Sequence, residues 1–359
     1  MKIISGKYNK AVVYTDNIEQ SAEEQIKSYC DMEIFEKSNI RIMPDVHAGS
    51  GCTIGTTMTI TDKIIPDFVG VDLGCGVLCI KLDTKNINLE KFDDYIKRNI
   101  PHGFSIRNKI HESVDQTLLD NLYCIDCLDK DPALKALGSI GSGNHFIELD
   151  KSNKDDFYLI IHCGSRNPGL KVANFYQNKI GDKGYLEGEL FEQYIHDSFI
   201  MNNFACINRK IVADEILKYL QCNIIYKFET IHNYLSVCPI TKQYILRKGS
   251  VSAYKDEILI IPMNMRDGSL ICKGKGNPEW NYSAPHGAGR LMSRAQAKKN
   301  LSVEEFTKEM KDVYSTTVNI NTIDESPMAY KPLEEIINNI KDTVDIIEHI
   351  KPIYNFKAE

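Results

Sequence analysis

Apolar and polar residues alternate along this chain with two periods, and the changes of period locate its elements. Two stretches open with Ser, place Glu three residues later and continue with apolar residues at helical spacing. They are "SAEEQIKSYCDM", with Ser21 and Glu24, and "LSVEEFTKEMKDVY", with Ser302 and Glu305. A long amphipathic run from Leu190 to Leu220 predicts a helix, and a second run from Leu333 to Ile350 predicts another. Three short apolar runs, "GVLCIKL", "DFYLIIHC" and "EILIIPM", predict strands, and each leads into a turn rich in Gly or Asn that carries polar side chains. Helical and strand segments are mixed without the strict alternation of βαβ units. An α+β fold is expected. No repeat, low-complexity tract or Pro/Ser-rich linker divides residues 1–359, so a single compact domain is expected.

Composition narrows the partners. A chain of 359 residues can bury a sizeable core. Its formal charge of −6 means that the surface as a whole will not attract nucleic acid, so a polyanionic ligand needs a local positive field. No apolar run approaches the roughly 18 residues of a spanning helix, and "MKIISGKYNKAVVYTDNIEQ" lacks the apolar centre of a secretory signal. Eleven cysteines without regular spacing suit reduced thiols in a cytoplasm. "CIDC", with Cys124 and Cys127, has no second pair at zinc spacing and reads better as structure than as a site.

Four stretches carry candidate chemistry. In "VGVDLGCGVLCI", Asp72 and Cys75 lie three apart among glycines that let a carboxylate and a thiol converge; taken alone, Cys75 reads better as a small buried hydrophobe in a turn. "GSIGSGNHFIEL" has glycines leading to Asn144, His145 and Phe146, a loop able to present backbone N–H groups, with a tight hairpin as the alternative. "YLIIHCGSRNPG" puts His162 at a strand end and Arg166 in a glycine turn, where its fork suits an anion. "FETIHNYL" offers His232 and Asn233, by itself little more than a core histidine. Taken together, Asp72, Cys75, His145, His162 and His232 form a mixed N/S/O set for a borderline divalent metal. Five ligands exceed one tetrahedral site, which suggests two ions suited to phosphoryl chemistry. Apart from these stands "NYSAPHGAGRLMSRAQA", where His286 sits among Gly287, Ala288 and Gly289 with Arg290 after it. A core histidine has no need of such small neighbours, whereas one that a large anion must approach closely does.

"PDVHAGSG", "VGVDLGCG", "GSGNHFIE", "HCGSR", "HN", "APHGAGR", "DESPMAYK" and a terminal "KPIYNFK" occur here in the order typical of the RtcB family of RNA-splicing ligases, which the chain resembles from about Arg41 to Lys357. The resemblance implies an α+β arrangement of sheets wrapped by helices around a metal cleft. It implies a GTP- and Mn²⁺-dependent enzyme that joins an RNA 3′-phosphate or 2′,3′-cyclic phosphate to a 5′-hydroxyl through a histidine–GMP intermediate. Carried over, the metal ligands are Asp72, Cys75, His145, His162 and His232, and the nucleophile is His286. Guanylate contacts fall on Asn144, Phe146, Glu148, His232, Asn233, Asn264, Ser269, Gly287, Ala288, Gly289, Tyr330 and Lys357.

On this reading Asp45 of "MPDVH" is the candidate to hold the His286 tautomer, and Arg166 and Arg290 neutralise phosphate oxygens. Arg247 and Lys248 of "RKGS", with Lys273 and Lys275 of "CKGKGNP", are candidates to grip RNA phosphates. The turn after "EILIIP" departs from the family's usual G-S-M-G-T: Met263, Asn264, Arg266 and Asp267 stand there. That departure bears on guanylate affinity and leaves the metal set intact. The alternatives within the same reading are a Mn-dependent phosphohydrolase or cyclic phosphodiesterase, and a non-catalytic protein that binds RNA ends. The resemblance leaves open an activating protein partner and the oligomeric state.

Overall fold

Strand register is what brings the candidate residues together. In the computed structural model, which describes residues 1–358, a seven-stranded sheet runs in the order Asn223–Ile231, Gly76–Asp83, Phe157–Cys163, Phe146–Lys151, Val344–Lys357, Gly268–Gly274 and Ile258–Asn264. A six-stranded sheet contains Ile40–His47, Ile54–Ile60, Tyr244–Lys248 and Asn233–Val237, with the N-terminal strands Lys2–Ser5 and Lys10–Val13 at its edge. Most neighbours are antiparallel; Lys10–Val13 and Ile40–His47 run parallel. The α+β, mixed-sheet architecture expected from the periodicity is therefore the observed one.

The predicted strands appear as Gly76–Asp83, Phe157–Cys163 and Ile258–Asn264. The long amphipathic run forms one helix, Glu189–Leu220. Its residues enter two hydrophobic cores, Phe204 and Ile211 packing with Leu235 and Leu246, and Val212 and Ile216 packing with Leu78 and Ile161. That helix also carries Arg209, which is fully buried. Its guanidinium donates to the carbonyls of Gly74 and Cys163 and pairs with Glu229. The turn before Cys75 and the strand end after His162 are thus tied to one rigid rod.

Two expectations change. The run Leu333 to Ile350 is not one helix: only Leu333–Asn339 is helical, and Val344–Lys357 is a strand between Phe146–Lys151 and Gly268–Gly274. Val344, Ile346, Ile347 and Ile350 are stiff β-branched residues, and two waiting strand edges give them ladder partners that an isolated helix would not. At the first helix, Gln20–Cys30, the N-cap is Glu19, and the Ser21–Glu24 pair does not cap it. Ser302 does cap Val303–Glu309, accepting from the Glu305 backbone N–H, and a full capping box lies at Ser293 and Gln296.

Candidate active site

Asp45 lies in Ile40–His47, a strand of the six-stranded sheet, and is completely buried. His286 follows the short strand Ser283–Pro285. The His286 backbone N–H donates to Asp45 Oδ2 at 3.1 Å, and its Nδ1 lies 2.7 Å from the same oxygen. With the proton on Nδ1, the lone pair is on Nε2. Gly289 has φ +76°, and a Cβ there would lie 2.2 Å from the Asp45 carbonyl oxygen. The small residues after His286 therefore have a packing reason besides ligand access: the loop presses directly on the strand that holds Asp45.

His286 faces a cluster of metal-ligand types. The His232 and His286 ring centroids are 4.9 Å apart, and those of His162 and His232 are 5.0 Å apart. Cys75 Sγ lies 3.3 Å from both His145 Nε2 and His162 Nε2, and His145 Nε2 lies 2.9 Å from Asp72 Oδ2. Two groups of three result, Cys75–His162–His232 and Asp72–Cys75–His145, with the thiol common to both. The tautomer of His162 is set from outside: Nδ1 donates to the Asn144 carbonyl, which leaves Nε2 as the ligand atom. Burial holds His162 and His232 well below the usual imidazole range, so both are neutral, the form that ligates. Burial, with the Asp72 carboxylate beside it, pushes the Cys75 thiol up; an adjacent cation is what would offset that. At Asp72 burial opposes ionisation, yet the hydrogen bond and charge of His145 outweigh it and hold the carboxyl low. Soft sulfur, three imidazoles and a carboxylate fit one or two borderline divalent ions. A Cβ at Gly164 would sit 2.0 Å from Asp72 Oδ1, so only glycine lets the His162 strand end lie against this carboxylate.

A cavity of about 320 Å³ opens from His286. Asn144, Phe146, Glu148, Asn233 and Asn264 line it, as do Gly287 to Gly289, Tyr330 and Lys357. These are the residues expected to meet a guanylate, gathered from segments more than two hundred residues apart. Ser269 is the exception. It is fully buried one strand away, its hydroxyl has no partner among the described residues, and it is absent from the cavity wall. Asn264 lines the cavity, but its amide serves its own turn: Nδ2 donates to Asp267, and Oδ1 accepts from the Arg266 and Asp267 backbones. This is what Asn264, Arg266 and Asp267 do in place of the more usual Gly-rich turn, with Arg266 also paired to Glu309. Met263 contributes side-chain bulk to the wall.

The charges of the cavity converge on Glu325. Its carboxylate accepts from Lys357 Nζ at 3.0 Å and from the Tyr330 hydroxyl at 2.8 Å, and it meets Arg294 at 2.5 Å and Arg290 at 3.5 Å. Burial opposes its ionisation, but Lys357 and the two guanidiniums hold it down to about 2. One fixed anion thus organises three cations. Sequence reasoning singled out Arg290, Tyr330 and Lys357, but assigned no role to Glu325, Arg294 or Asn355, all on the cavity wall. Arg294, four residues after Arg290 in the same basic stretch, was an available signal.

Arg166 lies at the metal side. It has φ +57°, and its guanidinium donates to Ser139 Oγ and the Gly103 carbonyl, bracing the loop that carries His145. The expected RNA grip at Arg247 and Lys248 is corrected. Both are buried, Arg247 donating to Ser283, Ser236 and Tyr234, and Lys248 to the carbonyls of Ser50 and Asp67. They follow strand pairing into the core, where a charged head must find fixed acceptors. Lys273 and Lys275 are more exposed, lie outside the cavity wall, and pair with Asp256 and Asp345.

Comparison with known proteins supplies the family. The family model described as tRNA-splicing ligase RtcB matches residues 25–358. The RNA-splicing ligase RtcB of Escherichia coli is 30% identical, with 95% of each chain covered. The tRNA-splicing ligases RtcB of Nanoarchaeum equitans and Aeropyrum pernix are each 25% identical, covering 82% and 91% of this chain. A buried Asp–His pair, two ligand triads sharing one thiol and a match running almost end to end converge on one conclusion: the chain belongs to the RtcB family of RNA-splicing ligases.

Proposed function

We propose that this protein is an RNA ligase that joins an end bearing a 3′-phosphate or 2′,3′-cyclic phosphate to a 5′-hydroxyl end, using GTP and Mn²⁺. The observation that carries the reading is the Asp45–His286 hydrogen bond beside the shared-thiol cluster. An Asp–His pair alone would also serve a hydrolase as general base, but simple hydrolysis or RNA-end binding needs no nucleotide-sized cavity beside the ring, and His286 opens onto one.

The protein's own groups divide the work. Asp45 holds the proton on Nδ1 and stabilises the charge that the ring acquires. His286 Nε2 attacks the α-phosphorus of GTP, the bond to the β-phosphate oxygen breaks, and pyrophosphate leaves. A 2′,3′-cyclic end is first opened by water, the P–O2′ bond breaking to leave a 3′-phosphate and a free 2′-hydroxyl. The RNA 3′-phosphate then attacks the phosphorus on His286, which releases the ring nitrogen and leaves the RNA end capped with guanylate. A 5′-hydroxyl displaces GMP, and the RNA phosphodiester is complete. Arg166 stands near the metal cluster, while Arg290, Arg294 and Lys357, held by Glu325, supply positive field along the cavity. Asp72, Cys75, His145, His162 and His232 would hold Mn²⁺, which neutralises phosphate charge when bound. These local cations account for RNA chemistry on a chain of formal charge −6. A cytoplasmic setting suits its cysteines, all of which are free thiols.

The test is sealing itself. Two RNA strands, one ending in 3′-phosphate and the other beginning with 5′-hydroxyl, should yield a joined product only with GTP and Mn²⁺ present. Joining of 5′-phosphate to 3′-hydroxyl instead, or release of the 3′-phosphate without sealing, would overturn the reading.

A further inference from the structure

Behind the cavity wall lies a buried carboxyl that the proposed chemistry does not use. Asp150 is on the same strand and the same face as Glu148, two residues on, and is fully buried. Neither of its oxygens meets an N–H or O–H donor among the described residues. The surrounding layer is apolar: Val77, Cys79, Tyr158, Ile160, Ile271 and Ile350. Tyr158, its register partner, sends its hydroxyl to Glu348 instead. Pro352, its partner on the other side, has no N–H to give. Among the described residues no cation faces Asp150; Lys357 acts on Glu148 and is committed to Glu325. The one polar group among them within hydrogen-bonding reach is the Glu148 carboxyl, whose Oε2 accepts from Asn355 Nδ2.

An ionised carboxylate in such a place would cost several kcal/mol without compensation. A neutral acid costs far less and gains a donor. We infer that Asp150 is a permanently protonated carboxylic acid whose O–H donates to Glu148, making it a positioning residue that keeps the Glu148 carboxylate ionised and turned into the cavity for the base of the nucleotide. The inference rests on the GTP reading above. Burial raises both acids, Glu148 to about 7. Their surroundings separate them: Asn355 Nδ2 donates to Glu148 and the Lys357 charge favours its anion, whereas among the described residues Asp150 has neither a donor nor a cation, so the shared proton rests on Asp150. Guanine presents two adjacent N–H donors on its pairing edge, which one carboxylate can accept together; a protonated Glu148 could not accept both equally. Asp150 would thus set base selectivity without touching the base. Asn355 restrains the Glu148 group from the adjoining strand.

The experiment uses the whole protein and two variants. Asp150→Asn keeps shape and a donor; Asp150→Leu keeps approximate volume and removes the donor. Infrared difference spectra near pH 8 should show a protonated-carboxyl C=O band in the wild type that is lost in Asp150→Asn. In GMP uptake, Asp150→Asn should stay close to wild type in KM for GTP. Asp150→Leu should raise that KM by about tenfold or more, equivalent to about 1.4 kcal/mol, with kcat changed less and the loss recovering at higher pH as Glu148 ionises. Absence of the infrared band, its persistence in Asp150→Asn, or equal behaviour of the two variants would overturn the inference. A wild type that shows the band but takes up no guanylate would count against the GTP reading and leave the protonation of Asp150 established.

Discussion

Asp45 Oδ2 lies 2.7 Å from Nδ1 of His286 and also accepts that residue's backbone N–H. One buried oxygen therefore fixes both the position of the loop and the tautomer of its ring. Asp45→Asn should break both roles, since an amide nitrogen cannot accept and an amide oxygen carries no charge to stabilise an imidazolium. Guanylate uptake should fall by about 10³-fold or more, by analogy with the acid of a Ser–His–Asp triad. Single-turnover labelling checks this; a loss below about tenfold would show that Asp45 does not orient the nucleophile.

Cys75 belongs to both ligand triads. Cys75→Ala should therefore reduce bound Mn²⁺ at both positions, whereas His232→Ala should affect only the triad that contains His232. Metal content after equilibrium dialysis, measured on folded protein with unchanged circular dichroism, distinguishes the two. Equal stoichiometry in wild type and Cys75→Ala contradicts the shared-thiol arrangement.

Glu325 is buried among Lys357, Arg290 and Arg294, and its carboxyl is depressed from an ordinary 4.5 to about 2. A depressed acid stabilises the fold above its unfolded pKa, and the contribution is lost as pH falls through the folded value. Glu325→Gln should cost about 3 kcal/mol at neutral pH. The gap between wild type and variant should narrow between about pH 4.5 and pH 2. Thermal unfolding across that window checks the sign; a gap that widens on acidification would contradict the assignment.

Arg247 should matter to stability and not to RNA affinity. Its guanidinium is fully buried and makes bonds to Ser283, Ser236 and Tyr234. Arg247→Met should destabilise by about 3 kcal/mol by leaving those acceptors unpaired. The salt dependence of RNA binding should not change, because no phosphate contact is lost. A shallower salt slope would restore Arg247 to the RNA surface.

Glycine turns and histidines at strand ends are local signals, and they singled out the candidate metal set; the family resemblance added His286 as the proposed nucleophile. His145 immediately precedes a strand, His162 lies near the end of one and His232 joins two, and pairing of Gly76 with Cys163 and of Phe146 with His162 aligns those ends. What the sequence withheld was long-range. Asp45 and His286 are 241 residues apart: the sequence offered Asp45 as a candidate partner, and only the fold brings the two within hydrogen-bonding distance. The strand character of Val344–Lys357 depends on two partners already in place. Arg247 and Lys248 look like any basic pair until the register of Tyr244–Lys248 with Ile54–Ile60 turns them inward. Glu325 was visible in "DESPMAYK", but only the fold surrounds it with cations.

The central claim is that His286 carries the guanylate, and covalent labelling tests it most directly. Wild-type protein incubated with GTP labelled at the α-phosphate and with Mn²⁺ should retain label through a denaturing gel, lose it in acid and keep it in alkali, as a phosphorus–nitrogen bond does. His286→Ala should bind metal normally, because its ligands lie elsewhere in the chain, and should take up no label. It should still seal an RNA end supplied already capped with guanylate. Label retained by His286→Ala, or acid-stable label on the wild type, would contradict the account.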